Sequence, residues 1–132
     1  MKKIIALKGR SKSGKSTALT NAVDEIFEVK IYKPKIQRDL VFSFKYKSKT
    51  IAIITVGDTV PQIERYFNKI KDKFDILICA CRDSGATFNF YNGFSRIDGY
   101  SVLFIDKREN TDSDRGRVIS EIKEMIFNEF NE

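Results

Sequence analysis

The stretch Lys3-Ile4-Ile5-Ala6-Leu7-Lys8-Gly9-Arg10-Ser11-Lys12-Ser13-Gly14-Lys15-Ser16 contains the most informative pattern in this chain. From Gly9 to Ser16 it matches Gly-x-x-x-x-Gly-Lys-Ser/Thr at every fixed position. The apolar run that ends at Leu7 predicts a buried strand, and Lys8-Gly9 predicts a turn after it. Apolar residues then recur at helical spacing, at Leu19, Ala22, Val23, Ile26 and Phe27. The pattern is therefore expected between a strand and an amphipathic helix that begins at about Lys15.

This loop has the features of a phosphate-binding site. A helix N-terminus offers unpaired N–H groups and the positive end of the helix dipole. Gly9 and Gly14 let the backbone close around phosphates without a Cβ in the way. We expect the N–H groups of residues 13–16 to face the phosphates and Lys15 to contact the β- and γ-phosphates. Ser16 is expected to bind Mg²⁺ through its hydroxyl, and Thr17 to donate to the α-phosphate. The predicted nucleotide ligands are Gly9, Arg10, Ser11, Lys12, Ser13, Gly14, Lys15, Ser16 and Thr17.

Over residues 9–17 the chain resembles the P-loop nucleoside triphosphatase superfamily, and elsewhere it resembles it only in architecture. The resemblance implies binding of ATP or GTP with Mg²⁺, and activity as a hydrolase, a kinase or a switch. It also implies a three-layer α/β sandwich, with helices on both sides of a mostly parallel sheet. We expect one antiparallel edge strand in that sheet and a single P-loop domain over residues 1–132.

The resemblance also implies a second acidic group near the metal, at the tip of a neighbouring strand. Three aspartates follow apolar runs: Asp58, Asp83 and Asp106. We assign Asp58 to the metal together with Ser16, because it follows the most buried-looking strand. Its position also resembles that of the Asp-x-x-Gly switch of a GTPase, although the order of Gly and Asp is reversed. The alternative for Asp58 is a plain helix N-cap.

Arg82 follows another apolar strand, at the edge where ligands bind in open α/β sheets. We assign Lys15, Asp58 and Arg82 as the catalytic residues, with Arg82 gripping a phosphate or stabilising transition-state charge. A salt bridge to an adjacent carboxylate is the alternative for Arg82. Arg115 and Arg117 could close over the phosphates, but a solvated first helical turn is the favoured interpretation.

The rest of the chain predicts the strands and helices around the loop. Alternation predicts an edge strand at Val41–Tyr46, which a turn joins as a hairpin to a buried strand at Ile51–Val56. Two more strands are predicted at Phe74–Cys81 and Tyr100–Ile105. Helices are predicted before the first of these and at the C-terminus, with a loop or short helix between the two strands. Lys30–Arg38 is predicted to be a surface loop.

Finer predictions concern caps, cysteines and aromatic residues. The second helix is expected to use Asp58 or Thr59 as cap, in a Thr-x-x-Gln box closed by Gln62. The C-terminal helix has three cap candidates: Asp112, Ser113 and Asp114. Cys79 and Cys81 are expected to be small core residues. The aromatic segment Phe88–Phe94 is explained by core packing or, alternatively, by an adenine-stacking wall or a partner surface.

Composition limits the chemistry. The chain has 132 residues and no histidine, which excludes a Ser-His-Asp triad and a His-ligated metal. The net charge of +6 favours an anionic partner. No apolar run is long enough to cross a membrane, and the apolar run near the start, Ile4–Leu7, is too short for the core of a signal sequence. We therefore expect a cytoplasmic protein. The expected partners are a nucleoside triphosphate, a protein or a second copy of the chain, and, with weaker support, nucleic acid.

The base and the reaction are less constrained. The Asn-Lys-x-Asp pattern of guanine-specific P-loop proteins is absent, so ATP is favoured by elimination. The leading hypothesis is Mg²⁺-dependent binding and slow hydrolysis of ATP. A small-molecule or nucleotide kinase is the first alternative, although the chain has little length for an acceptor domain and a lid. A non-catalytic, nucleotide-dependent switch or binding module is the second.

Overall fold

The computed structural model describes residues 1–10, 13–27 and 41–130. Its strands are β1 (Lys2–Lys8), β2 (Val41–Tyr46), β3 (Lys49–Ile54), β4 (Ile76–Cys81) and β5 (Tyr100–Asp106). Its helices are α1 (Lys15–Phe27), α2 (Val60–Ile70), α3 (Ala86–Gly93), which runs into a 3₁₀ turn (Phe94–Arg96), and α4 (Asp112–Phe130). The predicted surface loop Lys30–Arg38 lies outside the described residues.

The five strands form one sheet in the order β2-β3-β4-β1-β5. Strand β1 pairs in parallel with β4 and β5, and β3 pairs in parallel with β4. Only β2 is antiparallel, joined to β3 through a tight turn at Lys47 and Ser48. The sheet confirms the predicted α/β class, mostly parallel with one antiparallel edge strand.

Helices cover both faces of the sheet. One apolar core joins α1 and α4 to one face, with Leu19 and Ile122 fully buried. The second core joins α2 and α3 to the other face, around Phe67 and Tyr91. All residues of β4 are buried, as expected for a strand covered on both faces. Among the described residues, no helix is long and apolar enough to cross a bilayer.

The aromatic side of β2 faces this interior. The Phe27 ring of α1 lies 5.1 Å from that of Phe44 and 4.9 Å from that of Tyr46. Packing against α1 therefore accounts for the alternation in β2. Cys79 and Cys81 are buried free thiols, as predicted.

Two helix starts differ from the predicted caps. Thr59 is the N-cap residue of α2, but its side chain makes no capping hydrogen bond, so the predicted box with Gln62 does not form. Helix α4 is capped by Thr111, whose Oγ1 accepts from the Asp114 N–H at 3.2 Å. The predicted cap candidates of α4 lie inside its first turn instead. A hydroxyl one position before the helix is the one that reaches the third helical amide.

Candidate functional site

The loop between β1 and α1 lies at the carboxyl edge of the sheet, where its two glycines are closely surrounded. A Cβ on Gly9 would lie 2.7 Å from the Lys107 carbonyl oxygen, and the Gly9 N–H donates to the Cys81 carbonyl at 3.2 Å. Gly14 has φ +88°, and a Cβ there would meet the side-chain oxygen of Asn110 at 2.7 Å. Both positions therefore require glycine, as the sequence pattern predicts.

Lys15 is the first residue of α1 and is 8% exposed. Its Nζ donates to the carbonyls of Gly9 at 3.0 Å and Arg10 at 2.7 Å. Burial lowers the pKa of Lys15, while the nearby carboxylate of Asp58 acts in the opposite direction and Arg82 adds to the lowering. The ammonium group is thus held inside the loop, where phosphate oxygens could replace the carbonyls as its acceptors.

The backbone amides at the start of α1 point out of the helix. The first helical bond runs from the Ala18 N–H to the Gly14 carbonyl at 3.0 Å, which leaves the preceding amides without helical acceptors. Ser13 differs from the prediction, because its N–H donates to the Arg10 carbonyl at 3.2 Å within the loop. Its hydroxyl is buried and has no partner among the described residues.

The remaining ligand candidates are placed as follows. Arg10 is exposed, and Ser16 and Thr17 are half-buried in the first turn of α1. Ser11 and Lys12 lie outside the described residues.

Asp58 reaches this edge by a route that the sequence did not indicate. It follows β3, and β4 lies between β3 and β1, so its strand is not the direct neighbour of β1. The connection passes closely over the end of β4, since a Cβ on Gly57 would lie 2.6 Å from the Ala80 carbonyl oxygen. Only a residue without a side chain fits this approach, which carries Asp58 toward the loop. Asp58 therefore follows a strand one removed from β1, whereas the resemblance implied a neighbouring strand, and its metal role stays a prediction.

Asp58 and Arg82 form a partly exposed pair, with 3.7 Å between a guanidinium nitrogen and a carboxylate oxygen. Asp58 and Arg82 are the charged groups that act most strongly on Lys15, and Asp83 acts on it more weakly. The salt bridge that was the alternative for Arg82 is therefore present, and it lies at the same edge of the sheet as the loop. Asp58 precedes the N-cap residue of α2, so it is not the plain cap that was its alternative.

The predicted metal donors suit Mg²⁺ in their chemistry. The Ser16 Oγ lies 3.5 Å from the Thr55 carbonyl, which begins the segment that leads to Asp58. A hydroxyl and a carboxylate are hard oxygen donors, and Mg²⁺ in nucleotide sites takes few protein ligands besides phosphates and water. Within residues 1–10, 13–27 and 41–130, no group of three acidic, histidine or cysteine side chains forms a metal cage by itself.

Asp106, the third metal candidate, lies at the tip of β5 and is engaged elsewhere. Its carboxylate is 3.4 Å from the Nζ of Lys8, and its carbonyl accepts from the guanidinium of Arg117. Arg117 also donates to the carboxylates of Asp114 and Glu121 on its own helix. Arg115 pairs with Asp112 in the same way. The favoured interpretation, a solvated first helical turn, holds only in part: Arg115 lies in the first turn of α4 and Arg117 in the next, and both side chains are half-buried in ion pairs.

A buried ion pair beside the loop was not predicted from the sequence. Lys107 is 3% exposed, and its Nζ donates to the Asp114 carboxylate at 2.9 Å. Asp114 also accepts the N–H groups of Arg108 at 2.9 Å and Glu109 at 3.1 Å. The pair fixes the connection from β5 to α4, which contacts Gly9 and Gly14. The signals available in the sequence were Lys107, just after the predicted strand, and Asp114, in the first turn of the following helix.

The aromatic segment, predicted as a loop or short helix, is α3 and the turn after it. Tyr91 is fully buried, and the Phe90 and Phe94 rings pack 5.5 and 5.0 Å from Phe67 of α2. Phe88 packs 4.7 Å from Phe104, with the Nζ of Lys8 5.3 Å from its centroid. Core packing therefore accounts for most of this segment.

Compared with known proteins, the chain matches no family model, and no curated protein is similar to it.

Proposed function

We propose that this chain binds a nucleoside triphosphate with Mg²⁺ between β1 and α1 and hydrolyses it slowly, in the fold of a P-loop NTPase. The observation that carries the proposal is the position of Lys15. Its ammonium is buried at the start of a helix, inside a loop where a side chain would collide with backbone at Gly9 and be strained by the positive φ at Gly14. A buried ammonium beside outward-pointing amides is a site for a multiply charged anion.

Each residue of the site would have a distinct task. The loop amides and Lys15 would bind the β- and γ-phosphates. The Ser13 hydroxyl, which is buried without a partner among the described residues, would donate to a phosphate oxygen. Ser16 and Asp58 would hold Mg²⁺, which neutralises phosphate charge when bound. Arg82 would stabilise the charge that develops as the terminal phosphoryl group leaves. ATP is the favoured nucleotide, by elimination of a guanine-specific pattern.

Thermal unfolding with Mg²⁺ and ATP, GTP, ADP or no nucleotide tests the proposal. A triphosphate at about 100 times its Kd stabilises the folded state by about 2.7 kcal/mol, which raises Tm by several degrees in a domain of this size. We expect such a rise with ATP and its loss when Mg²⁺ is chelated. The absence of any shift with every nucleotide would overturn the proposal. Phosphate release from ATP alone then separates a hydrolase from a kinase, which requires its acceptor.

A pair of aspartate variants tests the metal assignment. Asp58→Asn is expected to weaken Mg²⁺-dependent ATP binding or turnover about tenfold or more, because it removes a charged ligand from a divalent cation. Asp106→Asn is the matched control, since it makes the same change at the tip of another strand, where the carboxylate pairs with Lys8. Titration with Mg²⁺ at fixed ATP measures both. A larger loss in Asp106→Asn would move the metal role to that residue.

A further inference from the structure

Strand β5 forms the edge of the sheet opposite β2. Among the described strands it pairs with β1 alone. Natural edge strands usually avoid pairing with other chains by means of lysines, prolines or bulges. Strand β2 follows this rule with Lys45 and the adjacent Lys47 and Lys49, but the segment Ser101–Ile105 contains neither lysine nor proline. As far as the described residues extend, the β5 edge is therefore open to another strand.

The backbone shows which groups are open. The Lys107 N–H donates to the Lys8 carbonyl on β1 at 2.7 Å. Because backbone groups of alternate residues point to opposite sides of a strand, Leu103 also faces β1, while Val102 and Phe104 direct their N–H and C=O groups outward. No described residue bonds to the outward groups of these two.

The two ends of the edge are each partly closed by the chain itself. The Tyr100 N–H donates to the Ile97 carbonyl at 3.2 Å. The Asp106 carbonyl accepts from the guanidinium of Arg117. One outward group therefore remains at each end, a carbonyl on Tyr100 and an N–H on Asp106.

We propose that β5 pairs antiparallel with β5 of a second copy of this chain, about a two-fold axis beside Leu103. In this register Val102 lies opposite Phe104 of the other copy, and the two exchange both hydrogen bonds. The open N–H of Asp106 meets the open carbonyl of Tyr100. The Tyr100 N–H and the Asp106 carbonyl, which are already bonded within each chain, lie opposite one another across the interface. Every remaining outward donor therefore meets an acceptor. This self-matching selects a second copy over an unrelated extended peptide.

The side chains at this edge fit the same arrangement. Leu103 is half-buried and belongs to neither apolar core. Helix α4 does not cover it, because it crosses the sheet from Asp106, bound by Arg117, to the far edge, where the rings of Phe130 and Tyr46 lie 5.3 Å apart. A groove of about 430 Å³ opens between β5 and α4. The second copy would bring its own Leu103 against this one, at the close spacing of a non-hydrogen-bonded pair.

Sedimentation and light scattering over a micromolar to hundred-micromolar range test this dimer. We expect wild type to reach twice the 15.2 kDa mass of the chain. Leu103→Lys places two like charges beside the axis and should halve the mass at every concentration. Ser43→Lys adds the same charge at an exposed position of the other edge and should stay dimeric. A monomeric wild type, or a dimer that only Ser43→Lys disrupts, would overturn the proposal.

Val102→Pro keeps the test independent of whether Leu103→Lys folds. The substitution removes an N–H group that faces away from β1, and an edge strand tolerates proline at such a position. The hydrogen bonds between β5 and β1 therefore remain. We expect a folded monomer by circular dichroism and sedimentation. Amide exchange locates the contact, since the Val102 and Phe104 amides of wild type should exchange more slowly as its concentration rises. Persistent dimerisation of Val102→Pro would contradict pairing through β5.

Discussion

Replacing Lys15 by alanine is expected to weaken Mg²⁺-ATP binding by at least about 100-fold. The ammonium is buried, so any phosphate that it contacts forms charge-assisted hydrogen bonds away from bulk water. Two such bonds contribute about 3 kcal/mol, which corresponds to about 100-fold in Kd. Calorimetric or fluorescence titration with ATP measures the change directly.

The fold is expected to survive this substitution. Among the described residues, Lys15 donates only to carbonyls of its own loop, and the Arg10 carbonyl keeps a second donor in the Ser13 N–H. Tm without nucleotide should therefore change little, while the ATP-dependent rise in Tm should disappear. Lys69→Ala is the matched control, because it removes the same charge from an exposed position on α2. Wild-type affinity in Lys15→Ala would exclude the loop as the triphosphate site.

The Asp114→Asn variant is expected to lose about 3 kcal/mol of unfolding free energy at neutral pH, a fall of about 10 °C in Tm. The cost arises because the buried ammonium of Lys107 would lose its one charged partner within the described part of the chain, an Asp114 oxygen 2.9 Å away. The Arg108 and Glu109 backbone amides, which donate to the Asp114 carboxylate, would also lose a charged acceptor. Thermal or urea unfolding measures the loss.

The pH dependence of this difference follows from the pKa of Asp114. Burial alone would raise that pKa, but hydrogen bonds from Lys107, from the Glu109 and Arg108 amides and from Arg117 outweigh it, so the pKa lies well below its usual range. A depressed carboxyl pKa in the folded state stabilises the protein above the unfolded value of about 3.9. The gap between wild type and variant should therefore stay constant above about pH 5 and narrow below about pH 4.

Asp112→Asn provides the control for this prediction. It makes the same change in the same helical turn, but the Asp112 side chain is fully exposed and pairs with Arg115 at the surface. We expect its Tm to match that of wild type. Equal losses in both variants would show that helix charge in general, and not the buried pair, is responsible.

Most of the secondary structure could be predicted because apolar periodicity reports directly which side of an element is buried. Strand β2 begins and ends where alternation predicted it, and α1 begins at Lys15 as the glycine pattern predicted. Caps were less predictable, since several adjacent polar residues compete for one position. Thr111 caps α4, because the two aspartates and the serine that follow it lie inside the helix. Asp114 instead accepts from amides of the preceding loop.

The sequence by itself determined the candidate phosphate loop. Gly9, Gly14, Lys15 and Ser16 act through local backbone geometry, and a run of adjacent residues carries all the information that such geometry needs.

Only the tertiary structure decided which distant residues join that loop. The insertion of β4 between β3 and β1, and the close passage of Gly57 over its end, bring Asp58 and Arg82 together and toward Lys15. Strand order likewise left β5 at an edge. Such placements depend on long-range pairing of strands, whose register and order arise from the packing of the whole chain and leave no local signal.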